Sequence, residues 1–306
     1  MDEARSFLAL PRPPERIAPA APVPSGSPEA ARHLFRSGRP LPGTPAEAYL
    51  RARGIAGSLD WPALRYHPSV YYRQAEDAPL ELWPALLAAV TSLDGTITGI
   101  LHTWLDLWHS EKAPLADPRR ALGHLLGNGV RFGKASDILA AGEGLETVLA
   151  LKSVLPLLPM IAGLSANHLA ALELPPALCR LYVARDNDAA GLRAANRLRE
   201  RAAEIDVREL TSVHGDFNLD LCRLGPDAML AHLADQLRPV RPGAFPPHIV
   251  AALIAVDRCA RFTRYRAGMG SGLRAVPTVC PGRKEPRVRP SRAAICRRRR
   301  AAKGPP

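Results

Sequence analysis

Aromatic residues make up only 5% of this 306-residue chain, and no apolar run is long enough to cross a bilayer. The most apolar stretch, VLPLLPMIAGL, is broken by Pro156 and Pro159, whereas a spanning helix needs about 20 consecutive apolar residues. The opening MDEARSFLAL is acidic before it is apolar, so the basic start of a secretory signal is missing. The five cysteines (Cys179, Cys222, Cys259, Cys280 and Cys296) include no C-x-x-C pair. That argues against a zinc ribbon and against a disulfide scaffold. These absences imply a reducing cytoplasm and no membrane partner. A complete nucleotide loop is missing as well. In ILAAGEGLETVLALKSV, residues 138–154, Gly142 and Gly144 lie between an apolar run and a helical pattern, yet no third glycine and no Gly-Lys-Ser/Thr follows. The loop carries Glu143 instead, with Glu146 one turn later. Two carboxylates repel a bare phosphate, so phosphate fits such a turn only if a cation stands between them.

Charge is unevenly spread. The chain carries a formal +12, but residues 241–306 alone hold sixteen Lys or Arg against two acids, leaving −2 for residues 1–240. This tail reads as a disordered Arg/Pro/Gly-rich extension, as the product of a shifted reading frame, or as a non-specific nucleic-acid arm that displaces counterions from phosphates.

Residues 11–30 are Pro/Ala-rich and read as a linker. PAEAYLRARGI has a helical pattern, with Ala48, Leu50 and Ile55 apolar and Gly54 as its stop. The segment PALLAAVTSLDGTITGILHTWLD predicts a hairpin turning at Asp94-Gly95. From about residue 135 the pattern alternates: strands at DILAAG, PMIAGL, RLYVAR and DVREL, with helices between them. Ser165 is the expected N-cap of one helix, and Leu192, Ala195, Leu198 and Ala202 are the expected buried face of another. Such alternation implies a parallel sheet whose ligands bind at the carboxyl ends of its strands.

Acids leave two of those strand ends. Glu143 follows DILAAG, and Asp186 and Asp188 follow RLYVAR. Three hard oxygen donors on one edge suit Mg²⁺, which takes few carboxylates together with waters and phosphate. Helix capping is the competing account of Asp188, and a favourable helix dipole that of Glu146; capping explains one acid per helix and not three together.

The GEG turn after one strand and DNDAAG after a later one resemble the Toprim domain of topoisomerases, primases and related nucleases, most closely bacterial-type primases and their phage and mobile-element relatives. The resemblance implies a metal site of Glu143, Asp186 and Asp188. Through GDFNLDLCRLG it implies Asp216 as a second-metal ligand, with Asn218 a weaker candidate. The acid that ends the family's E-G-x-x-D falls on Thr147, a departure beside Glu146, and Ser165 lies near the site. Upstream, AEAYLRARGI and LRYHPSVYY resemble the opening of a primase core. EKAPLADPRRALG resembles its lysine-bearing segment, which nominates Lys112, with Arg119 and Arg120 as weaker contacts. The implied fold is α/β, a Toprim-like parallel sheet flanked by helices and preceded by a smaller α+β subdomain. The expected division is an N-terminal helix and linker at 1–40, a primase-like subdomain at 41–134, the Toprim domain at 135–238, and the tail at 239–306.

The activity implied is that of a primase-like nucleotidyltransferase using Mg²⁺, with Mn²⁺ as a substitute and no zinc. Glu143 would be a ligand or general base, Asp186 and Asp188 ligands, and Lys112 a contact to triphosphate or template. Single-stranded DNA and NTPs would be its partners, and any helicase motor a separate protein. No cysteine precedes Cys179, so the family's N-terminal zinc module is not expected, and template recognition would be impaired or supplied by a partner. A Toprim nuclease and a non-catalytic nucleic-acid-binding remnant are the alternatives.

Overall fold

The computed structural model describes residues 26–237. The expected helix at the start, most of the linker and the basic tail lie outside the described residues. Chain order begins with α1 (Pro28–Ser37), whose N-cap Ser27 accepts a hydrogen bond from Ala30 N and whose first position is a proline. Residues 28–30, expected as linker, are therefore its first turn. Ala31 and Phe35 pack this helix onto the first sheet.

That sheet has six strands: β1 (Arg39–Pro40), β2 (Leu64–Tyr72), β3 (Glu81–Thr91), β4 (Ile97–Asp106), β5 (Glu111–Lys112) and β6 (Arg119–Gly123). The order is β1-β2-β3-β4-β5, with β6 also paired to β4, and every pairing is antiparallel. The β3–β4 hairpin turns at Asp94-Gly95 as expected. Asp94 accepts from Thr96 N, and Gly95 supplies the positive φ of 86° that the turn requires. Helix α2 (Pro45–Ala52) starts at Thr44 and buries Ala46, Tyr49 and Leu50. Leu50 and Ile55 are buried as expected, whereas Ala48 is exposed and Tyr49 takes its place on the buried face.

The second sheet runs β11-β10-β8-β9-β7. Its strands are β7 (Val130–Phe132), β8 (Ile138–Gly142), β9 (Met160–Ala162), β10 (Arg180–Ala184) and β11 (Asp206–Leu210). Four strands are parallel, and β7 adds an antiparallel edge on β9. Helices α3 (Leu145–Val154), α4 (Ala166–Ala171), α5 (Ala189–Arg201) and α6 (Phe217–Gln236) connect and cover it. Nearly every residue of α3 is buried, the polar Glu146, Thr147 and Lys152 among them. On α5 the buried residues are Gly191, Ala194, Ala195 and Leu198, while Leu192, expected inside, is 43% exposed. Helix α6 breaks at Gly225 (φ 78°), just before Pro226.

One apolar core joins the two sheets. Leu86, Val90 and Leu101 of the first sheet share it with Ile138 and Ala140 of β8, Val148 of α3 and Phe217 of α6. No described helix is long and apolar enough to cross a membrane.

Candidate active site

The register of the second sheet brings the acids together. Gly142 pairs with Ala184, and Ala184 with Leu210, so three strand ends lie side by side at about 4.8 Å per step. Glu143 directly follows the first, and Asp186 and Asp188 leave the second. Asp216 follows the third by way of a loop tied across by Asn187 N donating to Gly215 O at 2.8 Å. Gly191 is required here, since a Cβ on it would lie 2.5 Å from the Asp186 carbonyl oxygen. On the other side, Leu164 adopts a left-handed φ of 76°, uncommon for a residue with a side chain. It leads into Ser165, which caps α4 by accepting from His168 N, as expected. The next residue, Ala166, offers its backbone N–H to Glu143.

The acids raise one another's proton affinity. Burial first, then the charges of Glu143, Asp216 and Asp188, push the Asp186 carboxyl up to about 6, with Arg119 partly offsetting them. Burial and Asp188 raise Glu143. Glu143 Oε2 and Asp186 Oδ1 are both buried without a hydrogen-bond partner, an arrangement that costs free energy unless something else satisfies them. Asp188 and Asp216 are engaged differently. Each caps a helix, Asp188 accepting from Gly191 N and Asp216 from Leu219 N, both at 2.7 Å. The capping account thus holds for those two, although each cap uses one carboxylate oxygen. Among the described residues no three acidic, histidine or cysteine side chains stand close enough to hold a metal ion as placed. The expected convergence is electrostatic rather than a preformed ligand cage. Hard oxygen donors with orphaned buried atoms nonetheless fit a divalent cation at Glu143 and Asp186.

Lys112 lies elsewhere than the acid edge itself. Its Nζ is 3.1 Å from Glu146 Oε1, and the same oxygen accepts from Tyr49 Oη at 2.7 Å. Arg119 NH1 stands 4.0 Å from Glu146 Oε2. Burial alone would raise the Glu146 carboxyl, but Lys112, Arg53 and the Tyr49 hydrogen bond override it and hold it at about 2. Glu146 is therefore held in its charged form near neutral pH, and Thr147, where the resemblance places an acid, is buried beside it. Alternation along β6 separates the two arginines. Arg119 faces Glu146 and the acids, whereas Arg120 stacks on Tyr72 and Trp104 and donates to Arg73 O. Asn218 is occupied by Arg53, accepting from its guanidinium and donating to its carbonyl oxygen.

Sequence reasoning missed Tyr49, Arg53 and Asp220. Asp220 is fully buried and accepts from Val213 N, His214 N and His214 Nδ1, shaping the loop before Asp216. Its place in GDFNLDL was the only available signal; Tyr49 and Arg53 carried none, because Tyr49 bonds to Glu146, 97 residues away, and Arg53 to Asn218, 165 residues away.

Residues 138–227 match the Toprim domain family. The chain carries a Toprim domain. Ahead of it, residues 25–132 match a domain of unknown function, DUF7146, so the Toprim domain follows an N-terminal α+β region. No curated protein matches the sequence. Among solved structures, a DNA primase domain from Pseudomonas aeruginosa is 15% identical with a TM-score of 0.48, the alignment covering 79% of this chain and 94% of that one. The E. coli primase catalytic core is 14% identical with a TM-score of 0.45, covering 79% and 96%. The primase fragment of the bacteriophage T7 primase-helicase protein is 16% identical with a TM-score of 0.41, covering 53% and 66%. The Toprim assignment itself rests on the family match.

Proposed function

We propose that this protein is a primase-like nucleotidyltransferase that joins ribonucleotides on single-stranded DNA. The reading is carried by Glu143 and Asp186, two half-buried carboxylates that each have one buried, unpartnered oxygen, at adjacent strand ends of a Toprim domain. They would hold Mg²⁺ or Mn²⁺, with Asp188 contributing the oxygen its cap leaves free and Asp216 serving a second ion. When bound, the cation would supply charge neutralisation at the transferring phosphoryl group. Glu143 would serve as a ligand or as the general base that takes the proton of an attacking 3′-hydroxyl. Arg119 would present a cation to the acid edge from the first sheet, and Lys112, whose ammonium pairs with Glu146, would contact a triphosphate or template phosphate. No zinc is required. The domain division at 41–134 and 135–238 is proposed with this function, as is a cytoplasmic setting alongside a separate helicase.

Incubation with NTPs, Mg²⁺ and single-stranded DNA tests the proposal. Oligoribonucleotides support it, and nicked strands would mean a Toprim nuclease instead. Binding alone would mean a non-catalytic remnant, the reading favoured by Thr147 in the place of an acid.

A further inference from the structure

Trp108 is 93% exposed and neighbouring Leu107 53%. The other tryptophans, Trp61, Trp83 and Trp104, are half-buried or buried. Both exposed residues lie at the tip of the β4–β5 hairpin, whose last pairs are Leu105 with Lys112 and Asp106 with Glu111. The tip is held in shape. Asp106 accepts from Trp108 N at 2.8 Å and contacts His109 Nδ1 at 2.7 Å, and Ser110 takes a left-handed φ of 51°. The ring is thus presented by an ordered turn, no more than about 10 Å along the strand from the pair that carries Lys112. Across β4 lies Arg119, paired with Thr103 and facing the acid edge. Glu111, on the opposite face of β5 from Lys112, is the exposed acid of this hairpin.

We propose that Trp108 is a stacking platform for a base of single-stranded nucleic acid passing the acid site. An apolar π-face beside backbone-binding cations is the combination that holds single strands without reading their sequence. Lys112, which also pairs with Glu146, would supply one such cation on the same β4–β5 hairpin as the ring, and Arg119, on β6 and 4.0 Å from Glu146, a second. The inference rests on the acid site being a nucleic-acid-processing centre; it adds the surface that positions the strand.

Full-length protein in EDTA is titrated with an oligodeoxythymidylate, following tryptophan fluorescence and, separately, binding by anisotropy. Wild type is expected to quench on binding. Trp108→Phe should bind within about threefold of wild type but lose most of the quench, since the remaining indoles are shielded. Trp108→Ala should bind about 5- to 100-fold more weakly, the range for one lost stack. Its dependence on salt should be unchanged, because a stacked ring releases no counterions. Unfolding curves matching wild type establish that the variants fold. Wild-type binding without quenching, or a quench that survives Trp108→Phe, overturns the proposal. So does a Trp108 signal that answers anionic lipid vesicles and not the oligonucleotide. Failure of ribonucleotide synthesis with the stacking signature intact would sink the nucleotidyltransferase reading and leave this one standing.

Discussion

Replacing Glu146 with Gln tests whether the contact between the two sheets depends on one buried charge. The residue is 9% exposed and its carboxyl is held at about 2 against an ordinary 4.5, which corresponds to about 3 kcal/mol of charge-dependent stability. The folded value is the lower one. That stability is therefore fully present above pH 4.5 and is lost as pH falls toward 2. Gln preserves shape and can still accept from Tyr49, but it leaves Lys112 and Arg53 without their counter-charge. Near neutral pH the variant should lose about 2–4 kcal/mol, the lower part of the range because Lys112 retains solvent. In a folded region of this size that lowers the melting temperature by roughly 5–12 °C. Urea unfolding of both proteins from pH 7 down to pH 3 checks it. Other carboxylates, Glu209 and Asp206 among them, also sit below their ordinary values beside arginines, so the difference between the two curves is what isolates Glu146. That difference should shrink as pH drops below 4.5. In a double-mutant cycle with Lys112→Met, the two losses should fall short of additivity by about 1 kcal/mol or more. Equal stability at pH 7, or parallel acid limbs, would refute the anchoring role.

Asp186→Asn should melt at or slightly above the wild-type temperature without metal, because it relieves repulsion among the acids. Wild type should gain stability with Mg²⁺ by mass action while the variant does not, which melting curves with and without Mg²⁺ decide; Asp206→Asn, whose side chain pairs with Arg180 and Arg208, should keep the metal response. Gly191→Ala should cost about 1–3 kcal/mol by forcing the Asp186 carbonyl aside, and in the same melts it should weaken the Mg²⁺ response. Deleting residues 241–306 should weaken binding to single-stranded DNA and flatten its salt dependence, while activity on saturating template survives; unfolding of the truncated chain would contradict that.

Local signals in the sequence carried most of the fold. The hairpin at Asp94-Gly95, the strand at 138–142 and the helix at 145–154 follow from turn chemistry and from the switch of apolar period, which depend on neighbours along the chain. The alternating strand–helix order likewise implied that Glu143, Asp186 and Asp188 would leave one edge of a parallel sheet. Helical phase was less legible. Leu192 and Ala48 were placed inward, and both face solvent, because alanine-rich helices offer too little contrast for pattern alone to choose a face.

Tertiary structure alone decided what each charged group does. Nothing near Glu146 in the chain announces Tyr49, Lys112 or Arg53, yet these turn a carboxyl one turn from Glu143 into a fixed anion. Asp188 and Asp216 each spend one carboxylate oxygen capping a helix in the fold, while Asp186, indistinguishable from them by type, is half-buried with one unpartnered oxygen. A titratable side chain takes its character from the dielectric and the charges within a few ångströms of it. Those neighbours are set by how the two sheets pack, which no local pattern encodes.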